Sequence, residues 1–218
     1  MRLVFLGAPG VGKGTQAEKL SSKFGLKKIS TGDLLREAVR NGTPLGLEAK
    51  SFMDQGRLVP DSVVIGLVRE KLSDTSCSNG FVLDGFPRTV PQAEELGRVL
   101  DERSIDLSAV INFEADRDEI VNRLSGRRSC PKCQATYHTE FAPSKTGNSC
   151  ERCSELLVQR SDDTKEAIET RLKVYQEQTA PLIAYYQNRN LLSQVASMGP
   201  IDSVFDSLVK VITADKHA

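Results

Sequence analysis

Nine residues near the N-terminus, Gly7-Ala8-Pro9-Gly10-Val11-Gly12-Lys13-Gly14-Thr15, have the types and spacing needed to grip a phosphate. A glycine-rich turn lets successive backbone N–H groups converge on an anion. The helix start behind it adds partial positive charge, and a lysine adds a full one. Gly7 and Gly12 stand five apart with Lys13 next, which satisfies the G-x-x-x-x-G-K spacing. Thr15 falls one place later than the usual hydroxyl because Gly14 intervenes. The apolar run Leu3-Val4-Phe5-Leu6 precedes the loop and a helix-competent stretch at 16–24 follows it. A plain glycine turn between strand and helix is the weaker reading, and the motif predicts a nucleoside triphosphate site.

A second constellation has metal-ligand spacing. Cys130 and Cys133 form one C-x2-C pair, and Cys150 and Cys153 form another. Two such turns complete a four-thiolate tetrahedral site suited to zinc. The competing reading is a disulfide framework, but C-x2-C pairs rarely bridge internally and nothing else suggests an oxidising compartment. Four thiolates leave no open coordination position, so the expected metal is structural. Cobalt or iron could enter the same soft ligand set. His138 is surplus to four cysteines, and Cys77 is expected to be a free thiol.

The elements that must position these groups alternate. Strand-like runs occur at 3–6, 81–83, 109–113 and 191–195, with a weaker one at 28–30. Amphipathic stretches lie near 31–41, 61–73, 90–103 and 116–124, then a long one at 164–188 and a last at 202–213. Strand–helix alternation predicts an α/β fold, a parallel sheet covered on both faces, with ligands at the carboxyl ends of the strands. That would place the glycine loop, Asp84 and the start of the 90s helix on one rim. Residues 127–163 break the pattern and read as a metal-stapled insertion containing a strand-like fragment, Thr136-Tyr137-His138. The polar tail after Thr213 is expected to fray.

A chain of 218 residues can bury one substantial core with a small inserted module. Acidic and basic residues balance at 29 each, so no global field recruits nucleic acid or a membrane. Nowhere do eighteen apolar residues run together, and the N-terminal apolar run is too short for a signal peptide. A soluble cytoplasmic monomer is expected.

Several further strings converge on one family. Gly7 to Thr15, Ser30-Thr31-Gly32-Asp33-Leu34-Leu35-Arg36, Asp84-Gly85-Phe86-Pro87-Arg88, Arg160-Ser161-Asp162-Asp163, Arg171-Leu172 and Thr179-Ala180-Pro181-Leu182 together resemble adenylate kinase. The resemblance spans nearly the whole chain, and it is to the long-lid form with a four-cysteine zinc site. It implies the P-loop nucleoside monophosphate kinase fold and reversible phosphoryl transfer from MgATP to AMP, giving two ADP. It also implies a core of residues 1–30, 61–126 and 164–218, an AMP-binding flap at 31–60 and a lid at 127–163.

Roles follow from the resemblance. Lys13 would reach the β and γ phosphates of ATP, with Gly10, Val11, Gly12, Gly14 and Thr15 around them. Arg123 and Arg127 would face the same phosphates. Arg36 and Arg88 would hold the AMP phosphate, and Arg160 and Arg171 would close on that region. Asp84 matches the carboxylate that holds Mg2+ through water, which suits a cation slow to dehydrate. Asp162 and Asp163 are adjacent and need not share a site; they are expected to tie arginines or cap a helix. For the AMP base, Thr31, Gly85 and Gln92 match the reading positions, with Arg57, Leu58, Val59, Phe86 and Pro87 bordering the pocket. The ATP base would pack on Thr136 and Tyr137 and meet backbone near Gly199. Arginine suits such work because its guanidinium binds phosphate oxygens bidentately.

Three rivals remain at this stage. A nucleic-acid-binding ATPase with a zinc ribbon is disfavoured by zero net charge and the lack of a basic stripe. A non-catalytic nucleotide sensor would be expected to lose the arginines or Lys13. A kinase of the same family preferring GTP as donor is the closest alternative.

Overall fold

The strand that feeds the glycine loop, β1 (Arg2–Gly7), has five of its six residues buried. A parallel strand covered on both faces reads as such an unbroken apolar run. The computed structural model describes residues 1–214, so the tail expected to fray after Thr213 lies outside the described residues except for Ala214. After β1 come α1 (Lys13–Phe24), β2 (Lys27–Ser30), α2 (Thr31–Arg40), α3 (Pro44–Asp54), α4 (Asp61–Leu72) and β3 (Phe81–Asp84). Then follow α5 (Val90–Asp101), β4 (Ala109–Glu114), α6 (Arg117–Ser125), β5 (Arg127–Ser129) and β6 (Thr136–His138). The described residues close with α7 (Lys165–Val174), α8 (Pro181–Gln187), β7 (Leu192–Ala196) and α9 (Ile201–Ala214).

The main sheet has the order β2-β3-β1-β4-β7, and every pairing in it is parallel. Period-two alternation splits β1 between two cores. Val4 and Leu6 pack with Leu83, Leu96 and Leu182 on one face, whereas Leu3 and Phe5 pack with Leu20, Ile111 and Leu208 on the other. Asp84 pairs in register with both Phe5 and Ser30, so the loops leaving β1, β2 and β3 emerge side by side. Strand order reverses at β1, and that switch point at the carboxyl edge is where ligands bind in open sheets.

Between β2 and β3 the chain makes a helical excursion that includes α3, which the sequence pattern did not reveal. Pro44 and Gly46 read as turn residues, yet Pro44 opens the helix after its Thr43 cap. A side chain at 46 would collide with the Ala38 backbone of α2. The single long helix expected at 164–188 is instead broken. A π turn spans Tyr175–Thr179, closed by Ala180 N–H donating to the Tyr175 carbonyl at 2.8 Å. Pro181, lacking an N–H, then starts α8.

The segment between α6 and α7 carries its own two-stranded sheet, β5 against β6, and a core reduced to Cys130, Ala135 and Cys150 with three flanking side chains. No helix among the described residues is long and apolar enough to cross a membrane.

Candidate active site

A cleft of about 1130 Å³ opens at the carboxyl edge of the sheet. That slightly exceeds the ~300–1,000 Å³ of a pocket for one drug-sized ligand. At its floor, α1 begins with no side-chain cap, so its first N–H groups are left for an anion. Gly10 sits at φ 84°, and a side chain there would strike Leu124, so the loop needs glycine on two grounds. Lys13 Nζ donates to the carbonyls of Gly7 (2.6 Å) and Ala8 (2.9 Å). Burial lowers its ammonium to about 8, opposed by Asp84 and reinforced by Arg88, Arg171 and Arg127. Asp84 ends β3 above the loop, close enough that a Cβ on Gly14 would lie 3.2 Å from its Oδ2. Among the described residues no donor hydrogen-bonds that carboxylate, which leaves it available to a hydrated cation beside the loop.

Arg36, Arg88, Arg123, Arg127, Arg160 and Arg171 all line the cleft, although they come from six different parts of the chain. Each is aimed by a local partner. Arg36 pairs with Asp33 (2.5 Å), Arg88 Nε donates to the Gly85 carbonyl (2.9 Å), and Arg123 pairs with Glu119 (2.7 Å). Arg160 Nε donates to Ser129 Oγ (2.7 Å), and Arg127 forks onto Asp163. Burial, then Arg127 and Arg36, push Arg160 down to about 9; Arg88 and Arg171 are lowered chiefly by burial too. Guanidinium groups stay charged in proteins. So many cations crowded into one cleft favour anionic ligands there.

Asp162 and Asp163, expected to tie arginines or cap a helix, do the first, and they share one arginine though adjacency did not require it. Both reach Arg171, from Asp162 Oδ2 at 3.1 Å and Asp163 Oδ1 at 2.9 Å. The 3-10 turn at Ser161–Asp163 folds the two carboxylates onto one guanidinium, and the cap of α7 falls to Thr164 instead. Burial would raise the Asp162 carboxyl, but Arg171, Arg127, Arg36 and Arg160 outweigh it and hold it below the usual range.

Two expected binding residues do not line the cleft. Phe86 and Val11 are 1% and 0% exposed and pack in the two cores. Val11 also spends its N–H on the Ala8 carbonyl at 3.3 Å. The remaining candidates, Gly10, Gly12, Gly14, Thr15, Thr31, Arg57, Leu58, Val59, Gly85, Pro87, Gln92, Thr136, Tyr137 and Gly199, do line it. Thr31 Oγ1 donates to the Gly85 carbonyl at 2.8 Å. Gln92 has both ends engaged: Oε1 accepts from Arg88 N–H (2.7 Å) and Nε2 donates to Asp61 (2.6 Å).

That Asp61, along with Asp33, Gln134 and Ser197, escaped the sequence reading. Ser197 Oγ donates to the Val11 carbonyl and ties the segment before Gly199 to the phosphate loop. Asp33 sits inside the Ser30–Arg36 string without a role of its own there. No motif marks the other three, whose partners Gln92, Asp33 and Val11 lie 31, 101 and 186 positions away.

The four cysteines are free thiols, not disulfides, and their sulfurs all lie within 4.8 Å of one another. Cys130–Cys153 and Cys133–Cys150 approach to 3.4 Å. Metal–sulfur bonds of ~2.3 Å in a tetrahedron place sulfurs roughly 3.8 Å apart, so this set fits zinc. Tyr137 Oη accepts from Glu151 N–H (3.0 Å), which frees its proton for Cys150 Sγ at 3.4 Å. That hydrogen bond pulls the Cys150 thiol down to about 6, toward the thiolate a metal needs. His138 stays outside: its Nδ1 accepts from the N–H groups of Glu140 (3.0 Å) and Phe141 (3.1 Å). Cys77 Sγ donates to the Lys71 carbonyl, away from the cluster.

Comparison with known proteins bears on the whole chain. Residues 5–191 match the family model described as adenylate kinase. An adenylate kinase from Thermodesulfovibrio yellowstonii is 51% identical over 97% of this chain and 99% of its own length. The adenylate kinase of Citrifermentans bemidjiense is 52% identical over 98% and 100%, and that of Lachnospira eligens 47% over 97% and 100%.

Proposed function

The chain belongs to the adenylate kinase family and is an ATP:AMP phosphotransferase; from that premise we propose how its cleft performs the transfer. The observation that carries the proposal is that six arginines line the same cleft as Lys13 and Asp84. Phosphoryl transfer asks a protein for in-line positioning and charge neutralisation, with little covalent help.

ATP lies with its phosphates in the residues 10–15 loop, where Lys13 leaves the Gly7 and Ala8 carbonyls to meet the β and γ oxygens. Arg123 and Arg127 face the same phosphates. AMP lies against Thr31, Gly85 and Gln92, with residues 57–59 at its border and its phosphate on Arg36 and Arg88. Arg160 and Arg171 sit between the two and neutralise the charge that spreads over the transferring group. Asp84 would hold the water shell of the Mg2+ that accompanies ATP, and that ion would add neutralising positive charge beside the triphosphate. No side chain is needed as a nucleophile, since the acceptor's own phosphate oxygen attacks.

Three moving parts follow from this reading: a core of residues 1–30, 61–126 and 164–218, a flap at 31–60 and a lid at 127–163. Lid and flap close over both nucleotides and exclude water, without which the enzyme would waste ATP. Cys130, Cys133, Cys150 and Cys153 would hold zinc, which would stiffen the lid and stay out of the chemistry. One chain contributes every group named, which supports action as a monomer, and the free thiols suit a reducing cytoplasm.

The test pairs each of ATP and GTP with AMP, CMP, UMP and GMP, with the triphosphate alone as control. ADP formation confined to ATP with AMP is expected. Equal turnover with GTP, or with a pyrimidine acceptor, would overturn the assignment of the two base pockets.

A further inference from the structure

The first cysteine turn touches more than a metal. Its Pro131 carbonyl accepts from Arg40 Nη1 at 2.7 Å, and Arg40 is the last residue of α2. Gln134, directly after Cys133, crosses to the other end of the same helix. Its Nε2 donates to the Asp33 carbonyl at 3.2 Å, and its Oε1 lies 3.5 Å from Arg36 Nε. Arg36 is thus held from two sides, by Asp33 at Nη2 and by Gln134 at Nε. No described residue hydrogen-bonds its Nη1, which is left for a phosphate.

Gln134 makes this reach from an uncommon backbone. Its φ is 63°, the left-handed region in which a residue with a Cβ is strained and glycine is not. The turn is closed by Gln134 N–H on the Cys130 carbonyl (3.0 Å) and Cys130 N–H on the Ala135 carbonyl (2.9 Å). A glycine would make the same turn at lower cost but would bridge nothing. Ser154 takes the same left-handed backbone (φ 58°) in the second cysteine turn, its N–H on the Cys150 carbonyl at 2.8 Å. What sets Gln134 apart is the amide's reach across the cleft.

We propose that Gln134 is a positioning residue for the acceptor: with the Pro131 carbonyl it latches the lid onto α2 and fixes Arg36 for the AMP phosphate. This rests on the reading above, in which Arg36 faces AMP. The latch ties closure over the donor to readiness of the acceptor site, through lid residues that touch neither nucleotide's reacting atoms.

Gln134→Gly separates the latch from the fold because it relieves the backbone while deleting the bridge. In the zinc-loaded protein its unfolding temperature should match or exceed that of the parent. KM for AMP should rise roughly 2- to 12-fold, the span expected for one net hydrogen bond, while KM for ATP and kcat stay within about twofold. Gln134→Asn tolerates the backbone but is one methylene short, and should behave like the glycine variant. Arg40→Ala should add to the effect. An unchanged KM for AMP in Gln134→Gly would overturn the latch, as would equal rises in both KM values with a lowered unfolding temperature. Absence of ATP–AMP turnover in the parent protein would overturn the functional reading, and the latch with it.

Discussion

Asp163 receives Arg127 through both carboxylate oxygens, Oδ2 from Nε at 2.7 Å and Oδ1 from Nη2 at 2.5 Å. Arg127 opens β5 just after α6 and Asp163 stands just before α7, so one bidentate fork ties together the two ends of the cysteine-bearing segment between those helices. The Asp163 side chain is wholly buried, and Arg171 of α7 adds a third contact to it. Removing one partner of such a pair typically costs ~3–5 kcal/mol, because the other charge is left buried and uncompensated. Asp163→Asn should therefore lower the unfolding temperature by roughly 6–20 °C at this chain length. A shift under about 2 °C in thermal unfolding would contradict the account of the hinge.

The arginine crowd is held at a cost to stability, and substitution should expose that cost. Arg88→Met removes one cation from among its crowded neighbours in the cleft. Without nucleotide, the variant should be as stable as the parent or more so, whereas kcat/KM should fall on the order of 10²–10³-fold, as for loss of a transition-state donor. Denaturant titration and steady-state kinetics on one preparation read both. Loss of stability in step with activity would show that Arg88 serves the fold.

Lys13 gives a pH signature whose sign is fixed. Its pKa falls from 10.5 unfolded to about 8 folded, chiefly through burial. Between those values the unfolded chain binds more protons, so nucleotide-free stability should rise with pH from about 8 to about 10.5 relative to Lys13→Met. Triphosphate supplies the missing anion and raises the pKa again, so ATP binding near pH 8 should take up about half a proton. Calorimetry in two buffers of different ionisation enthalpy measures this uptake. Proton release on binding would refute the assignment of Lys13 to the phosphates.

For the cysteines, Cys130→Ala or Cys153→Ala should lower the unfolding temperature far more than it changes turnover in the cold. A few kcal/mol lost corresponds to on the order of 10 °C here. Large, equal losses of turnover at low temperature would mean that the metal site enters the chemistry.

Most of this architecture was legible in the sequence because strongly periodic or motif-bearing segments declare themselves locally. The loop at 7–15, the strands at 81–83 and 109–113 and the paired cysteines needed no tertiary context. What was missed depends on contacts between distant residues. α3 hides behind Pro44 and Gly46, whose turn-like types serve a helix start and a close approach to α2. Phe86 sits inside a functional string, yet its side chain belongs to the core while Asp84 and Arg88 on either side of it line the cleft. Asp61 and Gln134 carry no motif at all, and only folding brings them to Gln92 and Arg36.

The central claim is that one water-excluding cleft passes phosphate between two nucleotides held on opposed arginines. It is tested most directly by following γ-labelled ATP through a single turnover with saturating AMP, and in parallel without AMP. All label should appear in newly formed ADP with AMP present, and ATP should stay intact without it. Label released as inorganic phosphate, at similar rates with and without AMP, would contradict the account.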